Sequence, residues 1–387
     1  MSEFQIVKFR AVDRPLNDKQ LELMGKQSSR AKFTKWEFEV EYHYSSFRGD
    51  IDEMLRNGYD LFASNSNSGV VDIRMRLPLG LPFAQSCWSQ YVDGTNVIWN
   101  PDKRGQAGIL VIAPSFEEVR NSSFDVDAVL DAAATLRDLL IKGDQRALYL
   151  VWLCGTSDAY LDPAETLEPP VPNGLGSLAK SIDSLLDYVD VDPLIVHAAA
   201  DGIPDFEADK LQSEAVDLWL KSLGDASRTA LLRRLLDEDP ITLKAELLAT
   251  MRESQRLPDW PVSPPKRLLS ELLERTAELR KTEVARRRRE AANRAKREAE
   301  KAELQRQQRL AEMRSAPEVW LAKAAALAEA KGVDNFREAA EILAAVRDAI
   351  GGPAGRRLVR SKALKLVSMY PTQHRLKSEL RKQELID

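Results

Sequence analysis

The side chains of this 387-residue chain best suited to chemistry are three histidines, two cysteines and a block of four consecutive arginines. His43, His197 and His374 are far apart in sequence, and no pair has the spacing of a metal site or an acid–base couple. His43 lies between Tyr42 and Tyr44 and close to Arg48 and Asp50. That polar-aromatic group is the one segment able to line a proton-transfer pocket, although a purely structural strand histidine is the plainer expectation. Cys87 and Cys154 have no CxxC partner, so buried free thiols are expected rather than a disulfide framework or zinc site. The run Asn65 to Gly69 offers backbone amides to an anion, but it lacks GxxxxGK[ST] and GxGxxG spacing and precedes a strand, which favours a turn. Ser177, in Gly174-Leu-Gly-Ser, does not match the GxSxG nucleophile elbow and is expected as a helix N-cap. No catalytic, metal-ligating or cofactor-binding residue is assigned, no cofactor is expected, and the expectation is a protein without enzymatic activity.

The arginine block, Arg286 to Arg289, sits in a stretch of helix-forming residues between Pro265 and Pro317. Between Arg280 and Arg314, 13 basic residues face 6 acidic ones. Arg286, Arg287, Arg288, Arg289, Arg294, Lys296 and Arg297 are the candidate contacts to phosphates or to an acidic partner. Consecutive helical residues turn by about 100°, so the four arginines alone make no single reading face. No aromatic residue interrupts the stretch to stack on bases, and no leucine zipper follows it. A solvated spacer or weak coiled coil is therefore the first expectation. Docking on an acidic protein surface and contact with nucleic acid are the alternatives.

These residues must be positioned by a chain of uneven charge. Residues 1–264 hold 27 Lys and Arg against 42 Asp and Glu, and residues 265–387 hold 29 against 18. The pattern predicts an α+β fold: a mostly antiparallel sheet of about five strands, then a helical extension, a long charged helix and a C-terminal helical hairpin resembling a tetratricopeptide unit. Strands are expected at 4–11, 33–44, 70–78, 96–99 and 108–113, where apolar and polar residues alternate or apolar ones run together. Asn17 and Asp50 read as helix starts. The expected divisions are 1–165 (α+β domain), 166–255 (helical extension), 256–265 (proline-rich linker), 266–316 (long helix) and 317–387 (hairpin). Leu167 to Gly176 reads as a surface spacer. The linker, four prolines in Arg256 to Pro265, reads as semi-rigid extended chain and as the clearest boundary. The long helix would span roughly 70 Å at 1.5 Å per residue. Along it Ala292, Ala295, Ala299 and Ala302 follow the spacing of a thin coiled-coil seam, which allows self-association.

Several segments carry a resemblance. Phe9-Arg-Ala-Val-Asp-Arg-Pro-Leu, Ser28-Ser-Arg-Ala, Glu41-Tyr-His-Tyr, Phe47-Arg-Gly-Asp and Arg74-Met-Arg-Leu-Pro resemble the N-terminal signature of a widespread bacterial protein family with no assigned activity. Asp144 to Leu153 and Leu167 to Gly176 are similar to its central block. The resemblance implies a shared architecture and supplies no reaction, ligand or site residue. The chain departs from that pattern at Asn65 to Gly69, where an aromatic is expected before the glycine. The start, Met1-Ser-Glu-Phe-Gln-Ile-Val-Lys, lacks a signal peptide's basic and apolar regions, and no apolar run reaches the ~20 residues of a membrane span. A cytoplasmic location, no membrane partner and an unidentified protein partner follow as expectations. The functional expectation is a scaffold that joins partners across the charged helix, with a nucleic-acid accessory protein as the alternative.

Overall fold

The computed structural model describes residues 4–66, 71–103, 107–116, 125–178, 182–237, 240–255 and 260–387. Its contacts divide the chain into two compact units, Met1–Thr282 and Glu283–Asp387. The fold is α+β, as the sequence pattern predicts.

In the first unit, seven strands form one sheet: β1 (Phe4–Arg10), β2 (Lys32–Phe33), β3 (Glu37–His43), β4 (Leu61–Ser66), β5 (Val71–Leu77), β6 (Val97–Pro101) and β7 (Gly108–Ile112). Their order is β2-β3-β1-β4-β5-β7-β6, and every pairing is antiparallel. The sequence expectation of five strands omits β2 and β4. β4 is central, and Leu61, Phe62, Ala63 and Ser64 are all buried. With both faces covered it has no apolar–polar alternation to reveal it. Strand β5 shows the ordinary pattern: Val71, Ile73, Met75 and Leu77 enter one core, while Asp72, Arg74 and Arg76 lie on the other face, half-buried.

Two helices lie on the side of the aromatic core built from Phe9, Phe38, Tyr59 and Phe62. They are α1 (Asp18–Gln27), started by an Asn17/Gln20 capping box, and α2 (Ile51–Asn57), capped by Asp50. Gly58 follows α2 where a Cβ would come within 2.4 Å of Met24 Cε, so a side chain there would require the buried Met24 to shift. After the short α3 (Gln85–Trp88), the opposite sheet face is covered by α4 (Val126–Lys142), α5 (Gln145–Gly155) and α6 (Asp183–Tyr188). Every residue of α5 is buried, which makes it the central helix of this layer. Helix α7 (Leu194–Ala200) adds to the same core. Helices α8 (Ala208–Ser222), α9 (Asp225–Asp237) and α10 (Pro240–Gln255) share a small core of Ala215, Trp219 and Met251.

Two segments behave differently from their sequence expectation. The loop at 167–176 is not a surface spacer: Glu168, Val171 and Leu175 are at most 3% exposed. Residues 256–259 of the proline-rich segment lie outside the described residues, and Trp260 to Ser263 are tied to that loop by backbone pairing and hydrogen bonds. Val171–Pro172 (β8) pairs antiparallel with Val262–Ser263 (β9). Arg267 donates two hydrogen bonds to Glu168, at 2.8 and 2.9 Å, and Tyr149 donates a third at 2.5 Å. Burial and the adjacent Glu168 carboxylate push the Tyr149 hydroxyl well above its ordinary pKa. The long helix α11 (Leu269–Ser315) begins three residues later than expected, and its Leu269 and Leu272 are fully buried in the first unit's core.

From Val284 to Arg309 every residue of α11 is exposed, the alanine positions among them. The second unit gathers around α13 (Val333–Ile350), which packs against α12 (Pro317–Ala330), α14 (Gly352–Met369) and α15 (His374–Lys382). Its core joins Met313, Leu321, Phe336, Leu343, Val359, Leu366, Leu376 and Leu380. Phe336 to Val346 of α13 and Val359 to Leu366 of α14 share this core as a helical hairpin, and α12 and α15 complete a four-helix unit. Gly351 and Gly352 make the turn into α14 with φ of 72° and 59°, a conformation that disfavours side chains.

Candidate anion sites: a basic helical unit and an arginine-lined cavity

The residues singled out from sequence occupy three directions around α11. Arg286, Arg294 and Arg297, with Lys301, fall within about 80° of one another at 100° per residue. Arg287 borders this stripe, Arg289 and Lys296 lie on an adjoining face, and Arg288 points the opposite way. Arg294, Arg297 and Lys301 line one shallow groove with Glu290, Asn293 and Glu298. Much of the charge is answered within the helix. Glu283 accepts from Arg286 and Arg287 at 2.7–2.8 Å, and Arg286 also reaches Glu290 at 2.6 Å. Those arginines hold the Glu283 carboxyl down at about 2. Lys296 is 3.9 Å from Glu300.

A stronger basic concentration lies where the sequence reading assigned only packing. Helices α14 and α15 with their connection, residues 352–382, carry nine Lys and Arg against one acid, Glu379. Helix α14 holds Arg356, Arg357, Arg360, Lys362 and Lys365 and no carboxylate. Arg360 pairs with Asp387, whereas Arg356, Lys362 and Lys365 have no ion-pair partner among the described residues. Leu358, Leu364 and Met369 are exposed on the same helix, 37–56%. Arg357 and Leu364, seven residues apart, share the face opposite Val359 and Ala363. A tally of charge by helix rather than by run would have exposed this site in the sequence.

A buried polar cluster lies in the first unit, where residues flanking β1 and β4 and the end of β5 meet α4. Arg137, on α4 and 2% exposed, spreads its guanidinium over both carboxylate oxygens of Asp13 at 2.6 Å and reaches Asp60 at 3.5 Å. Its Nε donates to the Arg76 carbonyl at 2.6 Å. Asp60 also accepts from the backbone N–H groups of Val12 and Asp13, at 2.8 and 3.1 Å. Burial disfavours the Arg137 charge, yet the two bonds to Asp13 outweigh it and hold the guanidinium above its usual pKa. Beside this cluster is a cavity of about 120 Å³ lined by Asp13, Arg14, Gly58, Asp60, Arg76, Pro78 and Thr242. Arg76 Nε is buried and has no hydrogen-bond partner. Asp13 and Arg14 belong to the Phe9–Leu16 segment, and Arg76 and Pro78 to Arg74–Pro78. The structure thus brings these two separate segments to one cavity.

No family model, curated protein or solved structure matches this chain. The chemistry must be read from the molecule itself.

The other expected positions supply no pocket. His43 is 62% exposed and pairs with Glu41 at 3.0 Å; Phe4 is its ring neighbour. His197 and His374 are exposed. Cys154 is buried, and burial pushes its thiol up to about 12. Cys87 is only half-buried and accepts from Gln145 Nε2 at 2.9 Å. Ser177 is not an N-cap: it lies in a short 3-10 turn, donates to the Gly174 carbonyl and accepts from Arg146 at 2.9 Å. Asn65 and Ser66 close strand β4, and residues 67–69 of that run lie outside the described residues. Among the described residues, no group of three His, Cys, Asp or Glu is placed to hold a metal ion, and no helix is long and apolar enough to cross a membrane.

Proposed function

We propose that this is a non-enzymatic interaction protein in which residues 283–387 form the docking arm for a protein partner bearing acidic and apolar groups. Helix α14 carries that reading: five cations, no carboxylate and three exposed apolar side chains on one helix. Cations alone suit any polyanion, but Leu358, Leu364 and Met369 offer apolar area that a phosphate backbone does not use. Residues 1–282 are net −13 and residues 283–387 net +9, so the chain offers surfaces of opposite sign to two partners. In this reading the chain is a scaffold, with α11 as the connection.

A nucleic-acid reading has its own support in the stripe of Arg286, Arg294, Arg297 and Lys301 together with the nine cations of residues 352–382. Affinity capture from nuclease-treated extract, with the intact protein and its R357E/L364E variant, separates the two. A protein held by the wild type and lost by the variant, then shown to bind directly when purified, is the expected result. Retention of the same proteins by both forms would overturn the docking arm. Retention of nucleic acid alone, weakening steeply between 50 and 200 mM salt, would favour the second reading.

A further inference from the structure

We propose that the cavity beside Arg76 is a binding site for a small oxyanion, a carboxylate or phosphate group held by Arg76 and Arg14. Three guanidinium groups and two carboxylates meet here: Arg14, Arg76 and Arg137 with Asp13 and Asp60. The carboxylates are already engaged. Asp13 takes the paired N–H groups of Arg137, and Asp60 takes two backbone N–H groups and the edge of the same arginine. The guanidinium charges of Arg14 and Arg76 are left, neither of which has a carboxylate partner among the described residues.

The donor inventory points the same way. A guanidinium presents five N–H donors, and a buried one left unmade costs the full desolvation of that group. Arg76 Nε is such a donor, one of two orphaned buried side-chain polar atoms among the described residues. An oxyanion in the cavity would accept from the arginines and neutralise the surplus in one step, because planar carboxylates and phosphates match guanidinium geometry. The Asp60 and Arg76 backbone that lines the cavity is tied down. Arg76 N–H donates to the Asp60 carbonyl at 2.8 Å, and Arg137 grips the Arg76 carbonyl. A site so held is pre-organised for a ligand. A cavity of about 120 Å³ admits the charged head of a ligand and leaves a larger remainder outside.

The test is calorimetric titration of the intact protein with inorganic phosphate and, separately, with acetate, at ionic strength held constant with chloride. Saturable binding of at least one probe at one site per chain is expected. Arg14→Gln, an exposed position whose loss leaves the core untouched, and Arg76→Lys, which keeps the charge and removes Nε, should each weaken it about tenfold or more. Both variants are checked for native circular dichroism, and R357E/L364E should bind like the wild type, which excludes the second unit as the source of the signal. Binding of phosphate alone or acetate alone supports the site and fixes its ligand chemistry. Absence of saturable binding of either probe up to roughly 10 mM, or binding that Arg14→Gln leaves unchanged, would overturn the proposal.

Discussion

Arginine is the residue through which this molecule does most of its polar work, and the same side chain has different consequences by depth. Arg137 is almost fully enclosed and therefore committed to Asp13 and Asp60, whereas Arg288 and Arg289 on the exposed helix have no ion-pair partner among the described residues. Depth also separates the two thiols. Cys154 is fully buried, and its folded-state pKa of about 12 lies above the roughly 8.5 of an unfolded thiol. A raised folded pKa stabilises the native state fully below the unfolded value, and this contribution is lost as pH rises from there through 12. At pH 8.5, iodoacetamide should therefore label Cys87 in the native protein and Cys154 only after unfolding, as read by peptide mass spectrometry. Native labelling of Cys154 would contradict its enclosure. None of this depth is visible in a sequence: Ser-Cys-Trp and Trp-Leu-Cys-Gly look equally apolar, and the difference arises from α5 being wrapped on every side.

Most regular elements were legible because their signals are local. Asn17, Asp50 and Asp144 accept hydrogen bonds from the first turns they precede, and α8 to α10 begin and end within a few residues of their Gly and Pro breaks. Strand β4, buried on both faces, shows no alternation, and the 167–176 loop and the residue 260–268 segment are defined by contact with residues about a hundred positions away, so none of the three was legible. Proline-rich composition reads as linker, yet Trp260 donates its indole N–H to Asn173 and stacks edge-on against Phe206. The candidate cavity was half legible: the segments holding Asp13, Arg14 and Arg76 stood out, but their convergence depends on the strand order. The stitch has a measurable strength. Arg267→Met leaves Glu168, 1% exposed, without its cation. The first unit should lose about 3 kcal/mol in urea denaturation, the low end for breaking a buried pair because Arg267 is itself partly exposed. A loss below about 0.5 kcal/mol would mark the contact as ornamental.

At the scale of the whole chain, two compact units are joined through a helix that has no core of its own between Val284 and Arg309. Its support comes from pairs such as Glu283 with Arg287, each worth roughly 0.2–0.5 kcal/mol. Local opening should therefore concentrate there. Limited trypsin digestion of the native protein is expected to cut first within 286–309, giving two protease-resistant fragments by mass spectrometry. A first cut inside either compact unit would mean that the exposed helix is covered in solution, by a second copy or another partner. The stitch between Glu168 and Arg267 bears on how the chain is made. The two residues are 99 positions apart. At about 5–20 residues per second, the ribosome needs roughly 5–20 s to travel from one to the other. Throughout that interval the first unit has its sheet and central helix but no counter-charge for Glu168, so its last cation arrives with the opening of the long helix and sets the earliest moment at which the acidic body can close.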